Sequence, residues 1–472
     1  VFSIRNRWMA KPVARLLPPA IKHHEIKATT PTAGTRHRPW KMTMKKLLTA
    51  VITLLLAQAA LAGVKIEHWV SPTGARVYFV ESRVLPMLDV QVDFAAGSMF
   101  DPAGKSSLAA LTLSVLDLGA GKLDETAIAE QMADIGANLG GGADTDRASV
   151  YLRTLSSKDK REPALEILRT VLHQPLFDAA ILEREKARTI AGLKEAMTRP
   201  DSIAGKAFWA AMYPNHPYGQ QASPETVATL TRDDLTRFHA RYYTAANASI
   251  TLVGDISRDE AAAIAESIVA GLPKGEAAKL PTAPTQPKGS VVKLAHPASQ
   301  AHVYIGLPAI ERGNPDFFPL LVGNYTLGGG GFVSRLMKEV RDKRGYAYSV
   351  FSHFAPLKQT GPFQIGLQTK RSQANDAIKV AREVLDGFVK DGPTEEELTA
   401  AKANLTGSFP LRLDSNKKLL DNAAVIGFYG LPLDYLDQYQ GRIQAVTVND
   451  IKQAFSRHVR PADLITVTVA AD

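Results

Sequence analysis

Apolar residues along the chain follow two rhythms. Alternation with period two marks strands at residues 76–79, 88–94, 303–307 and 363–368, where every second side chain faces one side of a sheet. Longer helical runs stand between them, among them "FDAAILEREKARTIAGL" and "TEEELTAAKANLTGSF". The pattern then repeats. "LTRDDLTRFHARYYTAANASITLVGD" (230–255) and "VTVNDIKQAFSRHVRPADLITVTVAAD" (446–472) each read as a capped helix running into an alternating strand, at 249–253 and 465–469. Thr231 aligns with Thr447, Asp234 with Asp450 and Leu235 with Ile451, a period of about 216 residues. The two helical runs lie at the same offset.

"LPKGEAAKLPTAPTQPKGS" (272–290) is rich in Pro, Gly and Lys, lacks periodicity and reads as an extended linker. The predicted fold is therefore α+β. Two homologous domains, 63–271 and 291–472, each a mostly antiparallel sheet packed with helices, are joined by a linker and face a shared chamber.

Charge changes the picture only at the N-terminus. The formal charge of +9 points to nucleic acid or a membrane surface, yet residues 1–62 hold eleven Lys/Arg and a single acid, Glu25. Beyond them 45 basic residues face 46 acidic ones. A near-neutral body argues against a nucleic-acid binder. Residues 44–62 carry two lysines, an apolar run and Ala60-Leu61-Ala62, the pattern of a secretory signal peptide, which predicts export to the periplasm. The apolar run is short for a transmembrane helix. Residues 1–43 form a basic, Pro-containing extension, read as disordered or as an over-extended reading frame with translation starting at Met42 or Met44. The absence of cysteine removes disulfides, thiolate nucleophiles and Cys-based zinc sites together.

The stretch "GGGGFVSRLMKEVRDKRGYAYSV" (328–350) looks at first like a phosphate cradle. A P-loop needs G-x-x-x-x-G-K-[ST], and the nearest match, Gly104-Lys105-Ser106, has its upstream glycine at Gly97, two residues too far back. G-x-G-x-x-G is also missing around Gly328, so nucleotide binding is excluded. Phe332, Val333, Leu336, Met337 and Val340 fall on one predicted helical face, with Arg335, Lys338, Glu339 and Arg341 off it. Gly345 is placed as the C-terminal stop, and "YAYSVFSHF" then alternates as a strand. Gly328, Gly329, Gly330 and Gly331 become a flexible, substrate-adjusting approach to that helix. On spacing alone, Arg341 reads as a cation complementing the helix C-terminus and Tyr348 as a half-buried strand aromatic.

"LGGGGFVSRLMKEVRDKRGYAYSV", together with "HPYG" at 216–219 and the duplicated halves, resembles the insulinase-like (M16) zinc peptidases across all of 63–472. The resemblance implies that Arg341 and Tyr348, seven positions apart, form the pair that binds the substrate carbonyl near the metal. The family's N-terminal half carries H-x-x-E-H on a helix, with two imidazoles one turn apart and a Glu as base for a zinc-bound water. In this chain "SLAALTLSVLDLGAG" (107–121) occupies that register. The histidine positions hold Ala110 and Ser114, and the glutamate position holds Leu113. Near the third ligand stand Ala191, Gly192 and, one turn late, Glu195. No two of the eleven histidines are four apart.

The resemblance to two-subunit relatives then implies a non-catalytic, substrate-binding subunit, inactive alone, of a heterodimeric zinc peptidase. This chain would bind no metal or other cofactor itself, and zinc is expected in an H-x-x-E-H-bearing partner. The substrate class is peptides or unfolded segments. "GGGADTDRASVYL" (140–152) is read as an edge strand, with Gly140, Gly141 and Gly142 receiving substrate by strand addition. The alternative is a proteolytically dead M16-fold scaffold or peptide-binding protein.

Overall fold

In chain order the strands are β1 (Glu67–Val70), β2 (Arg76–Glu81), β3 (Met87–Phe94), β4 (Gly119–Ala120), β5 (Leu123–Asp124), β6 (Asn138–Ala143), β7 (Ala148–Leu155) and β8 (Ala248–Gly254). The second half adds β9 (Val291–Leu294), β10 (Gln300–Ile310), β11 (Ala347–Phe354), β12 (Gly361–Lys370) and β13 (Ile465–Val469). These come from a computed structural model, which describes residues 63–470; the extension expected at 1–43 and the signal peptide expected at 44–62 lie outside the described residues.

Two sheets carry the architecture. The first has the order β1-β2-β8-β3-β7-β6 and the second β11-β12-β10-β13-β9. Read from the opposite end, the second sheet runs β9-β13-β10-β12-β11, which reproduces β2-β8-β3-β7-β6 strand for strand. Each sheet has one parallel pair, β2 with β8 and β9 with β13, and is otherwise antiparallel. The sequence repeat is thus a repeat of topology. Both predicted helix starts are capping boxes: Thr231 Oγ1 accepts from the Asp234 N–H, and Thr447 Oγ1 from the Asp450 N–H, with each aspartate returning a bond to the threonine N–H. Residues 273–290 between the halves contain no helix or strand, but they are tied down. Ala245 and Ala246 donate N–H groups to the Pro273 and Lys274 carbonyls, and the Ala278 N–H donates to Asn247 Oδ1.

The halves exchange helices. Pro200–Met212, from the first half, packs on β10 and β13 of the second sheet, while Asn416–Tyr429 packs on β2, β3 and β8 of the first. These helices are themselves one repeat apart. Gly427 permits the second contact, since a Cβ there would come within 2.5 Å of the Tyr78 ring. At the end of each exchanged helix a tyrosine reaches a turn of the opposite half. Tyr213 Oη donates to the Thr360 carbonyl at 3.0 Å, and Tyr429 Oη donates to Asp146 at 2.8 Å.

Asp146, 1% exposed, also accepts from Tyr218 Oη at 2.7 Å and from the Lys358 N–H at 2.8 Å. It therefore joins the β6–β7 turn directly to the β11–β12 turn. Beside it, His216 Nε2 bonds Gln359 Oε1 at 2.6 Å, which accounts for the "HPYG" segment as part of a buried clasp between the halves.

Burial also creates a pH dependence. His239, stacked on Tyr243 with ring centroids 4.7 Å apart, bonds the Leu172 carbonyl through Nε2. Burial, aided by nearby His173, holds its imidazole down at about 4. A histidine depressed in the folded state contributes stability that is fully present above its unfolded value of 6.5 and lost as pH falls through about 4. The loss between those limits is about 3 kcal/mol. Urea denaturation at pH 7.5 and pH 4.5 should show this drop, and His239→Gln should shrink it.

Candidate functional site

The helix Leu108–Ser114 carries the degenerate motif. Its first turn is held by Asp101, whose carboxylate accepts from the Ala109 N–H at 2.7 Å and the Ser107 N–H at 2.8 Å. Burial pushes that carboxyl up to about 7 against these two donors. Ala110 and Ser114, one turn apart, are exposed on the same side, whereas Leu113 is buried. All three line one cleft of about 230 Å³, whose opposite wall is β6 from Leu139 to Ala143. The family's three motif positions and Gly140, Gly141 and Gly142 are thus brought together.

The edge position expected for the glycine strand is observed: β6 is the last strand of its sheet, paired only with β7. Gly141 has little room behind it, since a Cβ would lie 2.7 Å from the Ser149 carbonyl oxygen and 3.4 Å from a Leu113 methyl. Leu113 therefore packs towards the strand, while still lining the cleft. Gly142 is open, with nothing within 4 Å of where a Cβ would be.

These residues do not fit a zinc ion. A methyl, an isobutyl and a hydroxyl group offer no imidazole or carboxylate ligand. Ala191, Gly192 and Glu195 lie exposed on the helix Ala179–Ala196 and are not among the residues lining the cleft. Among the described residues no group of three or more His, Cys, Asp or Glu is placed to hold a metal.

In the second half the glycines behave differently from expectation. Gly328 and Gly329 form a wide helical turn continuing the helix Phe317–Asn324, closed by the Gly330 N–H bonding the Tyr325 carbonyl at 2.8 Å. Gly328 is buried against β11, where a Cβ would fall 2.5 Å from the Ser352 backbone nitrogen. A Cβ on Gly329 or Gly330 would crowd Asn324 and Tyr325. The expected flexible approach is a close-packed turn at these three positions. Only Gly331 sits in open space, with φ of 62°. Gly328, Gly329 and Gly330 thus serve close packing, while Gly331 stands open beside the segment that carries Arg341.

The helix after them begins later than its apolar pattern predicts. The Ser334 hydroxyl donates to the Gly331 carbonyl at 2.7 Å, and helical residues start at Arg335. Leu336, Met337 and Val340 are buried as expected, but Phe332 and Val333 precede the helix and are 69% and 58% exposed. Ser334 was the available signal, because a serine before an apolar run starts a helix and leaves earlier residues outside it.

Arg341 lies in the last turn of this segment, and Gly345, with φ of 64°, ends it. Tyr348 follows in β11, the edge strand of the second sheet. It is 84% exposed and not half-buried. The cause is a break in register: Ala347 pairs with Thr369 but Val350 with Leu367, so β11 bulges by one residue. A bulge re-aims the side chains it carries, and Tyr348 and Ser349 both face solvent in succession. The Arg341 guanidinium carbon lies 4.9 Å from the Tyr348 ring centre and 4.9 Å from that of Phe332. The structure thus brings Arg341 and Tyr348 together and adds Phe332 as a second wall. Among the described residues the guanidinium makes no hydrogen bond or ion pair, leaving its donors free.

Comparisons with known proteins identify the family. Residues 77–224 match the family profile "Insulinase (Peptidase family M16)", and residues 229–405 match "Peptidase M16 inactive domain". The crystal structure of a peptidase M16 inactive domain from Pseudomonas fluorescens superposes with a TM-score of 0.83 at 38% identity, covering 86% of this chain and 98% of that one. A Helicobacter pylori protein named "Non-peptidase homolog YmxG" is 28% identical over 435 residues, or 90% of this chain and 99% of the relative. A protease from Helicobacter pylori shares the fold at 20% identity, with a TM-score of 0.80 over 86% of this chain and 99% of that one. The chain belongs to the peptidase M16 family. Its motif helix and these relatives support a non-catalytic form of the M16 fold.

Proposed function

We propose that this chain is the non-catalytic, substrate-holding subunit of a heterodimeric M16 zinc peptidase, acting on peptides or unfolded segments in the periplasm. The observation that carries this reading is Arg341, stacked between two exposed aromatic rings with its hydrogen-bond donors unpaired among the described residues. A scaffold has no evident need for a guanidinium held ready in this way. Arg341 anchors a substrate carbonyl or carboxylate, and the Tyr348 hydroxyl donates to the oxyanion that develops at the scissile carbonyl. An H-x-x-E-H-bearing partner supplies the metal chemistry that Ala110, Leu113 and Ser114 cannot. Periplasmic location rests on the signal-peptide pattern at 44–62.

The test is cleavage of a quenched fluorescent peptide by residues 63–472, alone and mixed with an H-x-x-E-H homologue from the same organism. Activity in the mixture only supports the shared site. Chelator-sensitive activity from this chain alone overturns it, and silence in both favours the scaffold. A finer consequence concerns Phe332. Losing one wall of the guanidinium clamp in Phe332→Ala should raise KM about three- to fivefold in the mixture, as expected for an exposed cation–π contact.

A further inference from the structure

We propose that the cleft beside the motif helix is a pocket for a basic side chain, lysine or arginine, of an extended peptide lying along β6, with the Asp117 carboxylate as its counter-ion. The inference rests on the peptide-holding reading above and adds the chemistry of one subsite.

Three observations converge on it. The first is shape and lining. The cleft of about 230 Å³ has apolar walls from Ala110, Leu113 and Leu139, surfaces that suit the methylene stem of a long cationic side chain. The second is charge. Asp117 also lines the cleft, one turn beyond Ser114, and is the acid among the lining residues. It is half-buried, and among the described residues its side chain makes no ion pair and no hydrogen bond beyond its own backbone N–H. The neighbouring Glu125 carboxylate adds like charge and is itself paired with Arg184, which also binds Glu185. Burial pushes the Asp117 carboxyl up, the condition an arriving cation relieves. The third is the strand edge. As the last strand of its sheet β6 has one side without a strand partner, and Gly142 offers no bulk against an approaching backbone.

The same features exclude other occupants. An aliphatic side chain would seal Asp117 from water without a partner, and an acidic one would face like charge. The pocket therefore selects for charge more sharply than for size. The place where a zinc-bearing relative needs a dication carries, in this chain, a single unpaired carboxylate facing an open cleft.

Fluorescence anisotropy of the full chain with labelled extended peptides, identical except for Lys, norleucine or Glu at one central position scanned along the peptide, tests the proposal. The Lys peptide should bind about tenfold more tightly than the norleucine peptide at its best position, the range of a charge-assisted bond. That preference should shrink as salt rises. Asp117→Asn should remove it while leaving norleucine affinity within about twofold. Equal binding of Lys and norleucine peptides, or a preference that survives in Asp117→Asn, overturns the pocket. If Asp117→Asn does not fold, the wild-type ratio and its salt dependence decide. Absence of binding by any peptide, to this chain or to its complex, overturns the peptide-holding reading itself.

Discussion

Tyr348→Phe is expected to lower turnover of the assembled peptidase by about 10²–10³, with KM and subunit affinity little changed, because preorganised donors to a developing oxyanion are typically worth that much. The substitution isolates the hydroxyl. Tyr348 is exposed on a bulge at a sheet edge, so no core contact is lost. The phenyl ring remains as a wall for Arg341, so the guanidinium stays clamped. Arg341→Ala should cost activity of similar order, but with a share in KM, since that side chain anchors substrate before the transition state as well. Arg341→Lys should not restore it, because an ammonium neither stacks between two rings as a planar group nor offers a fork of donors. The measurement is kcat and KM on the quenched peptide alongside the subunit dissociation constant. Equal loss of partner binding and of activity would remove the role assigned to the pair.

The second large effect concerns the clasp. Asp146→Ala should destabilise the protein by about 3–5 kcal/mol, because three buried donors lose their acceptor and each one left unsatisfied costs about 1–3 kcal/mol before water or relaxation offsets part of it. Tyr218, Tyr429 and the Lys358 N–H all donate to this carboxylate, and none donates to another acceptor among the described residues. Two of the three donors come from the opposite half, so the loss falls on the joint between the halves. Burial already pushes the Asp146 carboxyl up, which means the carboxylate resides there at a cost that its donors offset. Urea denaturation should show a lower midpoint, and a second transition if the halves separate. Asp146→Asn, which keeps one acceptor oxygen, should lose less. A midpoint unchanged in Asp146→Ala would show that water replaces the carboxylate and that the clasp holds no stability.

Local rules made much of this legible. Thr231 with Asp234 and Thr447 with Asp450 are capping boxes because bonds of that kind span three residues, a distance visible in any sequence. Gly345 stops its helix for the same local reason. The motif register was also legible: a four-residue spacing puts Ala110 and Ser114 on one helical face, and both line the cleft. The family resemblance points to Tyr348, whereas alternation alone predicts it half-buried, because the bulge that turns it outward depends on its register against β12. Periodicity places Phe332 on the apolar helical face, although the helix starts after it. Asp117 and Asp146 carried no spacing signal at all, since one gains its interest from a cleft and the other from donors more than 70 residues away.

The sequence by itself determined the duplicated α+β design, the starts of the two capped helices and the stop at Gly345, and the identity of the groups that are missing from the zinc motif. Each of these follows from periodicity, from bonds between near neighbours, or from which functional groups a side chain possesses. Tertiary structure alone decided that the halves exchange helices, that Gly328 packs closely against β11, and that Arg341 lies within 4.9 Å of the Phe332 and Tyr348 ring centres. Those outcomes depend on steric fit between surfaces distant in the chain. Such fit is a property of close packing in three dimensions and leaves no periodic mark along one.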